Sequence, residues 1–233
     1  MSKIDRVMHM QAVILAGGLG TKLRPLTHIT AKLMLRVYGK PFLEYHVEAL
    51  KKHGIKDIVI LVGHLGSQIK SHFADSHPFL RYSEDDMLGS GGAVKNALDL
   101  LDDEFLILNG DTYLPIDYNS LIDKFRGSGK DALMTVYDNN ENIRPNNVCI
   151  KNGEITEYNN AEPKPYFTHL DAGVSIFKKS VFLAGPQKFS LEKDVYPQLI
   201  SARRLGNAVT HQRFFDIHTL ERLENIRKIM QST

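Results

Sequence analysis

The chain has 233 residues, 42% hydrophobic and 24% charged, with a formal net charge of +2. That is enough to bury one substantial core, and the near balance of charge, without basic runs interleaved with aromatics, excludes a dedicated nucleic-acid surface. The single cysteine, Cys149, excludes an internal disulfide framework and a cysteine-rich metal site.

The first nine residues, MSKIDRVMH, lack the apolar core of a signal peptide and read as a loose leader. No apolar stretch approaches the roughly 20 residues of a spanning helix, so no membrane partner is expected and the cytoplasm is the default compartment. Ala12-Val13-Ile14-Leu15 is too short for a helix and reads as a buried parallel strand. Pro41 opens a helix with Leu43, Val47 and Leu50 on one face and Gly54 beyond its end. Ile58 to Val62 is a second buried strand, and Leu65, Ile69 and Phe73 mark a second helix. A third strand is expected at Phe79 to Tyr82, a third helix at Gly89 to Leu101, and a fourth buried strand at Phe105 to Leu108. This alternation predicts an α/β domain with a mainly parallel sheet.

Beyond about Asp117 the pattern changes. Asp131 to Tyr137, Asn147 to Ile150, Glu154 to Tyr158 and Asp171 to Phe177 have strand character, and Asn152-Gly153 is a hairpin signal. Helices are expected at Leu191 to Ser201 and at Leu220 to Met230, the second N-capped by Thr219 with Leu220, Leu223, Ile226 and Met230 as its apolar stripe. With no linker and no internal repeat, residues 1–233 are read as one domain with two halves, about 10–117 and about 118–233.

The chemistry centres on Ala16-Gly17-Gly18-Leu19-Gly20-Thr21, directly after the first strand, with Lys22 and Arg24 following. Glycines there bring bare backbone N–H groups close to a ligand, and the cations suit a phosphate chain. The phosphate loop G-x-x-x-x-G-K-[ST] is absent. The dinucleotide fingerprint fails because Leu23 stands where its third glycine belongs, and no acidic residue ends the Ile58–Val62 strand. A nicotinamide enzyme is therefore not expected.

The stretch AGGLGTKLRPLT resembles the GGxGTRLxPLT of the sugar-nucleotidyltransferases, and AKLMLRVYGKPFLEY resembles their PKPMLPVxGKPxLEY. LGSGGAVKNA, LILNGDTYL, DAGVSIF and FFDIHTLERL continue the resemblance in order, from about Gln11 to Met230. It is to the short, single-domain members, most of all the heptose 1-phosphate guanylyltransferases and glucose 1-phosphate cytidylyltransferases.

The resemblance implies a Rossmann-like three-layer sandwich with a mixed, mainly parallel central sheet. It implies Mg²⁺-dependent transfer of a nucleotidyl group from a nucleoside triphosphate to a sugar 1-phosphate, releasing pyrophosphate, in glycan precursor synthesis. Leu15, Ala16, Gly17, Gly18, Gly20, Thr21, Glu84, Gly89 and Asp111 would hold the nucleotide. Lys22, Lys32 and Asp111 would be catalytic, and Asp111 and Asp216 would ligate the metal. Glu162, Lys164, Asp171, Gly173 and Glu192 would face the acceptor. The departures are Lys22 for the usual arginine, Ala31 and Leu33 for the prolines around Lys32, and His218-Thr219-Leu220 for G-T-P. A non-sugar acceptor such as phosphocholine, a non-catalytic regulatory homologue and a homo-oligomer all stay open at this point.

Overall fold

The computed structural model describes residues 10–231, and side chains as far as 229. The leader at residues 1–9 and the Met230 side chain lie outside the described residues. The first half runs β1 (Gln11–Ala16), β2 (Arg36–Val37), β3 (Lys40–Pro41), α1 (Phe42–Lys52), β4 (Ile58–Val62), α2 (Gly66–Phe73), β5 (Leu80–Glu84), α3 (Gly89–Asn96), β6 (Glu104–Asn109) and β7 (Thr112–Tyr113). The second half runs α4 (Tyr118–Ser128), β8 (Ala132–Asp138), β9 (Val148–Lys151), β10 (Glu154–Tyr158), β11 (His169–Lys178), α5 (Tyr196–Ser201), β12 (Leu205–Thr210), β13 (Phe215–Asp216) and α6 (Leu220–Gln231).

One sheet carries the fold, in the order β10-β9-β11-β6-β1-β4-β5, with β8 pairing both β11 and β12. The β6-β1-β4-β5 side is parallel throughout, while β11 runs antiparallel to β6 and β8. The central strands are apolar on both faces, so alternate residues feed two cores. Ala12, Ile14 and Ala16 pack under α1, α2, α4 and α6, which contribute Leu43, Phe73, Phe125 and Leu223. Val13, Val59, Leu61 and Ile107 pack on the other face against Val94 of α3, Phe182 and Leu199 of α5. The result is the expected three layers with a mixed sheet.

The chain leaves β1 toward β4 and β5, then returns to place β6 on the opposite side of β1. The carboxyl ends of β1 and β6 therefore diverge into a crevice at the switch point, the usual ligand position in such sheets.

Several elements differ from the sequence expectation. α3 stops at Asn96 and passes into a 3₁₀ turn at Leu98–Leu100. The expected helix from Leu191 opens as a π-turn over Leu191–Val195 before α5. Pro197 at that junction has no N–H to continue the regular ladder. α4 and β12 were not expected. α4 is nevertheless written in the chain: Asp117 accepts from Asn119 N at 3.0 Å, Tyr118, Leu121, Ile122 and Phe125 form its buried face, and Gly129 ends it at φ +67°. β12, with glycine and asparagine in LGNAVT, has poor strand propensity and is held by its register with β8. Asn152 and Gly153 both take positive φ, as a type I′ hairpin requires. Among the described residues no helix is long and apolar enough to cross a membrane.

Candidate active site

The crevice at the ends of β1 and β6 encloses about 500 Å³. Its floor is backbone. Gly17, Gly18 and Leu19 are exposed along it immediately after β1. Gly110 N donates to Leu15 O at 3.1 Å, and a Cβ at Gly110 would stand 2.4 Å from Leu33 Cδ1 and 2.5 Å from Leu15 O. Only glycine permits that approach. Beneath it, the buried His46 of α1 donates from Nε2 to Gly110 O at 2.8 Å. Burial lowers His46 to about 4, so the ring is neutral at pH 7, with Nδ1 lacking a partner.

Lys32 enters from the 3₁₀ turn Lys32–Met34, and its ammonium pairs with Asp111 Oδ2. The residues flanking Lys32 explain why this chain tolerates losing the prolines. Ala31 N donates to Gln68 Oε1 at 2.8 Å, a bond proline cannot make, and the buried Leu33 covers Gly110. Asp216 reaches the same place because β13 pairs with β7, setting Asp216 opposite Thr112, while Ile217 N donates to Asp111 O at 3.0 Å.

Between the two carboxylates lies the ring of His218. Its Nε2 is 3.1 Å from Asp111 Oδ2 and its Nδ1 is 2.9 Å from Asp216 Oδ1. Asp216 also receives His218 N at 3.0 Å, Arg222 Nη1 at 3.1 and 3.0 Å, and Arg144 Nη1 at 3.4 Å. Burial would raise both carboxyls, but the charge of His218 beside them, with Lys32 at Asp111 and Arg222 at Asp216, holds them well below the usual carboxylate range. Burial likewise opposes charge on His218, yet Asp111 and Asp216 push it up to about 9.

Magnesium takes near-octahedral oxygen ligands at about 2.0–2.1 Å. With an imidazole lying between them, Asp111 and Asp216 come together but do not hold one shared divalent ion in this arrangement. Among the described residues no group of three or more histidine, cysteine, aspartate or glutamate side chains forms a metal cluster.

The opposite wall is side chain. Asp171, buried on β11, accepts from Gly173 N at 2.9 Å and from Tyr158 Oη at 3.4 Å. Its own N donates to Asn147 Oδ1 at 2.9 Å, and Asn147 Nδ2 donates to Asn160 Oδ1 at 3.2 Å. Arg144 Nη2 donates to Asp171 O at 3.2 Å. Burial, reinforced by the Glu192 charge, raises Asp171 to about 6. Glu192 Oε2 accepts from Ser90 Oγ at 2.7 Å and from Ser190 Oγ at 2.5 Å. That joins the start of α3 to the π-turn.

The structure brings Leu15, Ala16, Gly17, Gly18, Lys32, Gly89, Asp111, Asp171, Gly173 and Glu192 to one crevice. It sets the other expected site residues outside the lining. Gly20, at φ +62°, is packed on Thr27, and Thr21 and Lys22 sit exposed on the next turn. Glu84 pairs with Lys70 at 2.5 Å, and its neighbour Asp85 lines the crevice instead. Glu162 is exposed on the loop after β10, Lys164 is tied to Glu157, and Asp216 stands behind His218. Gly89, Gly91 and Gly92 have a packing reason as well: a Cβ at each would stand 2.5, 2.4 and 2.3 Å from Phe189 O, the Phe189 ring and Gln187 O.

Arg144, Asn147, Lys188 and His218 also line the crevice and were not expected there, as do Ser90 and Asn160, which lie beside the expected Gly89 and in the loop of the expected Glu162. Tyr158, at the end of β10, both packs in the core and lines the crevice. Of the first four, His218 alone carried a signal, as the residue breaking a recognisable segment; the others come from loops whose positions no local pattern encodes.

Comparison with known proteins adds the following. The family model described as Nucleotidyl transferase matches residues 11–226. The chain is 30% identical over 83% of its length to UTP--glucose-1-phosphate uridylyltransferase of Synechocystis sp., of which it spans only 56%. It is 27% identical to D-glycero-alpha-D-manno-heptose 1-phosphate guanylyltransferase of Aneurinibacillus thermoaerophilus, over 95% of this chain and 99% of that protein. The structure of HddC from Yersinia pseudotuberculosis complexed with GMP-PN superposes with a TM-score of 0.81 at 25% identity, covering 95% of this chain and 99% of the other.

Proposed function

The chain belongs to the nucleotidyl transferase family, and from that premise we propose that it joins a nucleotidyl group to a sugar 1-phosphate. The observation carrying this reading is the division of one crevice into two walls. Bare backbone after β1 faces a polar side-chain wall from β11 and its neighbours, with Lys32 and Asp111 between them.

In the reaction, an anionic oxygen of the sugar phosphate attacks the α-phosphorus of the triphosphate. A new P–O bond forms, the bond to the β-phosphate oxygen breaks, and pyrophosphate leaves with the electron pair. The nucleophile is already ionised, so no strong base is needed. Catalysis then consists of orienting two anions that repel each other and offsetting charge at phosphorus. The N–H groups of residues 17–19 serve the triphosphate, and Lys32, held in place by Asp111, supplies a cation beside them. Asp171, Asn147 and Glu192 offer hydrogen-bond partners suited to sugar hydroxyls.

The relatives support a guanine nucleotide and a heptose-type acceptor over other pairs, since a guanylyltransferase and the GMP-PN complex both align over nearly the whole chain. Pyrophosphate release from a panel of triphosphates and sugar 1-phosphates, with phosphocholine included, tests the reading. GTP with a heptose 1-phosphate is expected to be the strongest pair. Release with phosphocholine alone, or triphosphate binding without release from any pair, overturns it.

A further inference from the structure

The bridge at the crevice mouth joins two carboxylates that the family resemblance assigns to a metal, and its occupant is a side chain of the protein. We propose that in the nucleotide-free protein His218 occupies the space between Asp111 and Asp216 and closes it to divalent ions, so that a metal reaches the crevice only together with a triphosphate. This rests on the proposed nucleotidyl transfer only for the identity of the incoming ligand; the occupancy itself is geometric.

Three observations carry it. The ring contacts both carboxylates at once, at 3.1 and 2.9 Å, which leaves no room for an ion about 2 Å from each. Arg222, on both oxygens of Asp216, and Arg144, on one, hold that carboxylate in place beside the ring. An ion arriving alone would also meet Lys32, paired with the same Asp111 Oδ2 that His218 contacts, and like charges repel it. A metal–triphosphate complex carries net negative charge, and the same cations attract it.

The arrangement also supplies an exit for the ring. The His218 side chain is 37% exposed, so it can rotate toward solvent without opening the core. The turn beneath it does not depend on the imidazole. His218 N donates to Asp216 Oδ1, Ile217 N to Asp111 O, and Thr219 caps α6 by accepting from Arg222 N at 3.3 Å. Replacing the side chain therefore leaves the backbone bonds that hold the two carboxylates together.

The experiment is titration of Mn²⁺ alone into nucleotide-free protein at one pH, with the free ion read by electron paramagnetic resonance. Wild type is expected to leave the ion free, whereas His218→Gly and His218→Ala take up one ion per chain, with affinity higher by about tenfold or more. Adding Asp111→Asn to either variant is expected to abolish that uptake. One ion bound per wild-type chain without nucleotide overturns the proposal. So does failure of both His218 variants, each checked for a cooperative thermal transition, to bind better than wild type. The readout needs no turnover, so a protein that behaves as expected here yet releases no pyrophosphate refutes the proposed reaction and leaves this inference standing.

Discussion

The two walls of the crevice are built differently. The nucleotide wall is backbone: Gly110 lets the ends of β1 and β6 come together, Gly17 and Gly18 leave the turn after β1 bare, and a buried neutral histidine braces the second turn from below. The acceptor wall is a network of side chains from β10, β11, the loops before β9 and after β10, and the π-turn before α5. A backbone wall gives every ligand with a phosphate chain the same donors. A side-chain wall can be rewritten residue by residue without disturbing the sheet, so substrate choice is expected to reside there.

Substitutions separate the two walls. The largest effect on turnover is expected where they meet: Asp111→Asn or Lys32→Ala should lower kcat/KM about 100- to 1,000-fold, as loss of a positioned charge does. Gly110→Ala should instead act on the fold, lowering stability by about 1–3 kcal/mol because the new methyl group meets Leu15 O and Leu33. Denaturant unfolding reads that loss, and an unchanged midpoint would mean the two strand ends are less tightly apposed than described.

Asp171 gives the acceptor wall a pH signature. Its folded value is raised to about 6, so the stability that comes from keeping it neutral is fully present below its unfolded value of about 3.9 and is lost as pH rises through about 6. Asp171→Asn escapes that loss. Its stability relative to wild type should climb between about pH 4 and 6 and level off above, by up to about 3 kcal/mol. A flat difference across that window would contradict the burial assigned to this carboxyl. The smallest effect is expected at Lys22: exposed and outside the crevice lining, it should tolerate alanine with no more than about a fivefold loss in kcat/KM, the scale of one solvated charge. A loss as large as that of Lys32→Ala would instead place Lys22 on the triphosphate.

The same contrast explains what the sequence disclosed. The start of the nucleotide wall is local: a strand, a glycine turn and a cation are adjacent in the chain, so Gly17 and Gly18 could be named from residue order, whereas Asp111 was named through the resemblance of LILNGDTYL. The parallel half of the sheet was legible for the same reason, through apolar runs separated by helical periodicity. Arg144, Asn147 and Asn160 meet only because β9, β10 and β11 bring two loops together, and nothing in NIRPNN or YNNAEP encodes that meeting. α4 was legible and missed, its apolar spacing and cap being ordinary helix signals. The identity of His218 was legible while its position was not, since the short β7–β13 ribbon alone sets it between two carboxylates more than a hundred residues apart.

The most direct test of the central claim is nucleotide-sugar formation by wild type and Asp111→Asn, measured side by side at saturating triphosphate and sugar 1-phosphate. Wild type is predicted to form the product with equimolar pyrophosphate, and the variant, still binding nucleotide, to form it about 100-fold more slowly or less. Equal rates in the two proteins would contradict the placement of the reaction at the junction of the two walls.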